Sequence, residues 1–225
     1  MRRWALGLAL SLVFASAGEP FVAVAQTAPS ASPPVATTQF DYYVMTLSWA
    51  PGFCDLGGKE TSSPECAEGS GDGFVVHGLW PERNDGSYPE NCPSRPGFTT
   101  DAAWQGVIPT RDLATHEWQT HGTCTPYSAD DFFKLVRKAY QSVKIPSALA
   151  HTTQQTMQPP DEIIQSFARI NTGLPAGSIV LSCGRNYLTA IEVCFDRDLN
   201  PRACSGLRTC RANAVKITPQ INAAQ

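Results

Sequence analysis

The sequence contains no C-x-x-C pair although it has eight cysteines, so the ligand spacing of a structural zinc cluster is missing. It also lacks an excess of positive charge, with 17 Lys and Arg against 20 Asp and Glu. A protein that holds nucleic acid by bulk electrostatics shows the opposite balance. Beyond the first 25 residues no apolar run is long enough to cross a bilayer. No internal repeat is visible. Histidine is scarce, four in all, so each one can be weighed separately.

What the chain does have begins with an export signal. Two arginines in "MRR" precede the apolar run "WALGLALSLVFASA". Small-residue sites end at Ala17 ("ASA") and Ala25 ("AVA"), and the second is preferred as the cleavage point. An uncleaved anchor is the competing reading, weakened by the shortness of the run. Residues 1–25 are therefore expected to be a signal peptide, and the mature protein to lie in the periplasm or outside the cell. Removing Arg2, Arg3 and Glu19 leaves 15 basic and 19 acidic residues. Behind such a signal, Cys54, Cys66, Cys92, Cys124, Cys183, Cys194, Cys204 and Cys210 imply disulfides, in a pairing that spacing alone does not choose.

Residues 26–38 are rich in Pro, Ser and Ala and read as a flexible leader. "FDYYVMTLSWA" reads as a strand ending near Trp49, and residues 51–73 as a stapled loop. "GFVVHGLWP" is a strand carrying His77 near its end, broken by Gly78. Periodic structure resumes around residues 112–121. Ser128 and Asp131 form a capping box for a helix with the apolar stripe Phe132, Val136, Ala139 and Val143, stopped by Pro146. Residues 159–171 read as a second helix, and "SIVLSC" and "LTAIEVCFD" as core strands. Strands and helices without regular alternation argue for an α+β class. The expected architecture is a central antiparallel sheet with packed helices. It forms one disulfide-stapled domain over residues 39–215, with residues 216–225 as a tail.

The chemistry concentrates in "VVHGLWP" and "HEWQTHGTC". The second segment looks like the zinc-protease pattern H-E-x-x-H with one residue too many. Five residues apart on a helix, His116 and His121 stand about 140° apart and cannot face one ion unless a π-type bulge inserts a residue into the turn. Glu117 and His121, four apart, share a face, which places a carboxylate beside an imidazole. No further cluster supplies a third ligand, so neither metal nor cofactor is expected. A lone histidine is usually a packed or surface residue, and His151, in a polar stretch, is read that way.

These two segments resemble the active-site segments of the acid ribonucleases typified by ribonuclease T-two of moulds. The resemblance extends from about Phe40 to Cys210, through "LSWAPGFC", "NDGSYPENC" and "INTGLP…LSC…LTAIEVCFD". It implies an α+β fold with the first segment on a strand and the second on a helix. The implied reaction is metal-independent cleavage of single-stranded RNA by transesterification. It gives a 2′,3′-cyclic phosphate and then a 3′-phosphate. In the implied roles His121 is the base, His77 the acid, His116 holds the phosphate and Glu117 tunes the charge. Trp80, Glu82 and Tyr88 match positions that grip a base, core packing being the bland alternative for each aromatic. Trp49 and Trp118 are assigned to the core and Trp104 to neither.

The resemblance also implies the pairs Cys54–Cys66, Cys92–Cys124, Cys183–Cys210 and Cys194–Cys204. One departure stands out: relatives usually carry a lysine where this chain has Thr120. Slower turnover is expected unless Arg111, Lys134 or Lys138 reaches inward. An RNA substrate, no action on DNA, no membrane attachment after signal removal and a monomer complete the expectations. A disulfide-stapled RNA-binding or signalling protein with little or no activity is the alternative.

Overall fold

The computed structural model describes residues 39–57, 63–67, 70 and 72–220. The expected signal peptide and leader lie outside the described residues. Strand β1 (Tyr42–Trp49) shows why a sheet forms here. Its odd-numbered residues Tyr43, Met45, Leu47 and Trp49 enter the main core, while Tyr42 and Val44 pack on the opposite face with Cys194. Thr46 and Ser48 continue that opposite face by alternation. The segment read as a stapled loop opens instead with helix α1 (Ala50–Asp55), where Pro51 occupies a first-turn position and loses no intrahelical bond.

Strand β2 (Phe74–Glu82) pairs antiparallel with β1 and is not broken at Gly78. Helix α2 (Arg111–Thr120) starts where the Thr110 hydroxyl accepts from the Leu113 amide. Helix α3 (Ala129–Gln141) is capped by Ser128, whose hydroxyl accepts from Asp131 N. It buries Phe132, Phe133, Val136 and Ala139, and each Phe contributes about 2–3 kcal/mol relative to exposure. A short helix, α4 (Ser147–Ala150), and a strand, β3 (Thr156–Gln158), precede α5 (Pro160–Ile170). Helix α5 has Asp161 and Glu162 in its first turn and Arg169 in its last, which suits the helix dipole.

Strands β4 (Ile179–Gly184), β5 (Tyr187–Phe195) and β6 (Val215–Ile217) complete one sheet of order β2-β1-β5-β6-β3, with β4 also on β5. All pairings are antiparallel except β5 with β6. The class is α+β, as the sequence suggests. The domain boundary expected after residue 215 falls inside β6. That strand is held by β3, and the chain beyond it by the Trp49 indole bonding Thr218 O and by the Gln220 amide bonding Thr152 O.

The four disulfides join Cys54–Cys66, Cys92–Cys124, Cys183–Cys210 and Cys194–Cys204. Cys92–Cys124 closes a loop of 32 residues around α2. Replacing both with alanine is expected to cost about 3–4 kcal/mol of stability, chiefly by freeing the unfolded chain. Denaturant unfolding of the oxidised variant and parent measures this, and a loss below about 1 kcal/mol would contradict it.

Candidate active site

The site begins with an irregularity in the sheet. Along β1 and β2, Thr46 faces Gly78 and Leu47 faces Val76, so His77 is an extra residue bulged out of the ladder. A bulge re-aims a side chain and shifts strand parity. Val76 and Leu79 can therefore both enter the core, while His77 leaves it. Ser48 fixes the ring, with its hydroxyl 3.2 Å from His77 Nδ1.

Helix α2 supplies the other half. It ends at Thr120, and His121 is its cap, leading into a 3-10 turn over Gly122–Cys124. Because His121 has left the regular helix, its ring comes within 6.5 Å of the His116 ring, centroid to centroid. The separation expected for a continuous helix does not apply there. Glu117 is 0 % exposed. Helical spacing suggests His121 as the partner of its carboxyl group, but among the described residues the two form no ion pair. Oε2 accepts from the Trp80 indole N–H at 2.7 Å, and Oε1 lies 3.6 Å from His77 Nε2. The Trp80 ring also stands 5.5 Å from His77 and 5.2 Å from His121. Gly78 permits this gathering, since a Cβ there would lie 2.0 Å from Glu117 Oε2 and 2.5 Å from Trp80 Nε1.

Burial sets the electrostatics. It pushes the Glu117 carboxyl up to about 8 against the lowering effect of the Trp80 hydrogen bond. It pulls His121 down to about 4, helped by the charges of His116 and His77. His77 is lowered by burial and by His116, with Glu65 opposing. At neutral pH Glu117 and His77 therefore meet as neutral groups rather than an ion pair. Glu117 Oε1 and His121 Nδ1 are buried with no hydrogen-bond partner among the described residues. Unsatisfied polar atoms of this kind concentrate where a ligand is to be met.

His77, His116, Glu117, His121 and Trp80 thus converge. Glu82 does not join them, being 6 % exposed, with burial raising its carboxyl to about 7. Tyr88 is 52 % exposed and makes no ring contact with Trp80 among the described residues. Trp49, Trp104 and Trp118 are buried in the core. From the sequence Ser48 has no assigned role, and Gly78 is only a break in its strand. The alternation of "YYVMTLSW" could have found Ser48, because it and Thr46 are the polar members of an otherwise apolar strand. Among the described residues no group of three or more His, Cys, Asp or Glu is placed to hold a metal ion.

Among the described residues, two of the three candidate cations are engaged with acidic partners. Arg111 pairs with Asp101 and Lys134 with Asp131, each at 2.8 Å. The Thr120 hydroxyl approaches His116 Nδ1 at 3.4 Å. On the reaction the resemblance implies, a Thr120→Lys variant should turn over RNA about tenfold faster by adding a cation beside the phosphate. Steady-state kinetics on one oligonucleotide checks this, and an unchanged kcat would contradict it.

The model of the Ribonuclease T2 family matches residues 40–204. A ribonuclease of Aeromonas hydrophila is 37 % identical over 123 residues, 54 % of this chain and 55 % of that protein. The chain therefore spans just over half the length of that relative. Ribonuclease DdI of Dictyostelium discoideum is 29 % identical, over 74 % of this chain and 82 % of its own. Among solved structures, trichomaglin, described as an S-like ribonuclease, superposes with a TM-score of 0.64 at 24 % identity, covering 81 % of this chain and 99 % of its own. A variant of ribonuclease MC1 in complex with 5′-UMP gives 0.60 at 22 % identity, covering 79 % of this chain and 98 % of its own. These structural likenesses speak for the fold.

Proposed function

Because the chain belongs to the Ribonuclease T2 family, we propose that it is a secreted endoribonuclease cleaving single-stranded RNA by transesterification. The observation that carries this is the gathering of three imidazoles around Trp80 and the buried Glu117 carboxyl. His121 removes the proton from the ribose 2′-hydroxyl, whose oxygen attacks the adjacent phosphorus. His77 gives a proton to the departing 5′-oxygen, leaving a 2′,3′-cyclic phosphate. Water then opens that ring to a 3′-phosphate with the two roles reversed. His116 holds the phosphate. Glu117, neutral at acid pH, orients His77 and offers a hydrogen bond as charge grows on the phosphorane.

Trp80 is the aromatic platform nearest the reacting groups, and stacking on such a platform is a common way to hold an unpaired base. The 5′-UMP complex of ribonuclease MC1 supports a nucleotide-sized ligand for this fold. Four disulfides support a periplasmic or extracellular home. No described helix is long and apolar enough to cross a membrane. The chain acts as a monomer on RNA and leaves DNA intact, because DNA lacks the 2′-hydroxyl nucleophile.

The test is digestion of matched single-stranded RNA and DNA by the purified, oxidised mature chain across pH. RNA alone should be cut. Cleavage of DNA at a comparable rate would overturn the mechanism, and cleavage of neither would overturn the activity. The shape of the profile follows from the site. The base works deprotonated, so kcat/KM should rise with pH through about 4, where His121 loses its proton. The acid works protonated, so kcat/KM should fall as pH passes the pKa of His77, which lies below the ordinary histidine value of 6.5. A bell with its optimum between those limits is expected. An optimum above pH 7 would contradict the assignment.

A further inference from the structure

The cleft continues past the imidazoles along the outer face of the sheet. A recess of about 560 Å³ is lined there by His77, Trp80, Thr46, Ser48, Thr189 and Glu192. Its floor follows from strand register. Thr46 faces Gly78 on one side and Glu192 on the other, so the three form one row across β2, β1 and β5. Gly78 contributes no side chain to that row. Two strand spacings separate its ends, about 10 Å, a span that one nucleobase can bridge.

One polar group in this row is open to a ligand, and a second lies buried beneath it. Glu192 is half-buried, and only Oε1 is engaged, accepting from the Ser182 hydroxyl at 2.7 Å. That bond fixes the carboxylate while Oε2 has no hydrogen bond among the described residues. Thr46 is 4 % exposed, and its Oγ1 has no partner among the described residues. A buried hydroxyl left unpaired is costly, and it lies beside the recess. Glu82, by contrast, does not line this space. It lies close enough to Glu192 for that charge to help raise its carboxyl.

We propose that Glu192, rather than Glu82, is the carboxylate that reads the edge of a nucleobase, in a slot floored by Thr46 and bounded by Trp80. The inference rests on the ribonuclease reading and deepens it. A carboxylate oxygen accepts from the exocyclic amino group of adenine, cytosine or guanine. Uracil instead presents carbonyl oxygens on both sides of its single N–H, and the carboxylate repels them. The slot therefore favours amino-bearing bases over uracil at one of the two positions flanking the scissile bond.

The experiment measures kcat/KM of the oxidised mature chain on dinucleoside monophosphates, with each base varied in turn. The unsubstituted chain should disfavour uracil at one position. Glu192→Gln keeps the shape and can retain the Ser182 bond, and it should shrink that preference at least about fivefold at the same position, the lower end of what one base-edge contact discriminates. Thr46→Val, which keeps volume and removes the hydroxyl, should change the same ratio in the same direction, so the test survives if one variant fails to fold. Preferences unchanged at both positions would overturn the proposal. So would an equal fall for all four bases, which marks a structural role. Failure of the unsubstituted chain to cleave any RNA would overturn the ribonuclease reading as well, and is distinguishable because no substitution is involved.

Discussion

His121→Ala should lower kcat on single-stranded RNA by about 10³-fold while the protein still folds, within the range general acid–base catalysis supplies. The ring is half-buried and touches Trp80 and His116. Its Nδ1 makes no hydrogen bond among the described residues, so truncation removes no internal polar contact at that atom. The stability cost should thus be small beside the catalytic one. His77→Ala should show a loss of similar size, since the leaving oxygen then departs without a proton donor. The double variant should be little worse than either single one, because base and acid act in the same step. Single-turnover cleavage of one oligonucleotide, with melting temperatures alongside, separates the two effects. Either variant retaining more than a tenth of the parent rate would remove that histidine from the mechanism.

The second large effect comes from a residue with no side chain. Gly78→Ala should reduce kcat by about 10²-fold, because the new methyl and the Glu117 carboxylate cannot occupy the same space. Relief requires the carboxylate to break its 2.7 Å bond from Trp80 and to move away from His77. Either movement leaves a buried carboxyl without its donor and an imidazole without its neighbour. Positioning errors near 1 Å are costly in catalysis. Glu117→Gln, which keeps the volume, is the control and should lose less than Gly78→Ala if packing matters as well as charge. Equal rates for Gly78→Ala and the parent would show that the carboxylate's position is irrelevant.

Much of this was legible in the sequence because local chemistry specifies it. The capping box Ser128–Asp131 marks a helix start within three residues of chain. The aromatic and β-branched content of β1 and the apolar runs of β4 and β5 announce a sheet. The two histidine segments stand out in a chain with so few histidines. What stayed hidden depends on partners distant in sequence. Strands β3 and β6 are three residues each, too short for periodicity, and exist because each pairs with the other. The bulge at His77 is a mismatch between two strands and is invisible in either alone. Helical spacing put Glu117 beside His121. It could not foresee that α2 ends one residue early or that Gly78, on another element, admits the carboxylate. Glu192 is hidden for the same reason, since a strand residue gains its neighbours from register.

The most direct test of the central claim, that this cleft moves protons between RNA and imidazoles, is the identity of the product ends. Single-stranded RNA should be digested briefly with the oxidised mature chain in excess chelator, and the fragments resolved by mass. The expected ends are 2′,3′-cyclic phosphates with 5′-hydroxyl partners, converting slowly to 3′-phosphates. Fragments bearing 5′-phosphates and 3′-hydroxyls would contradict it.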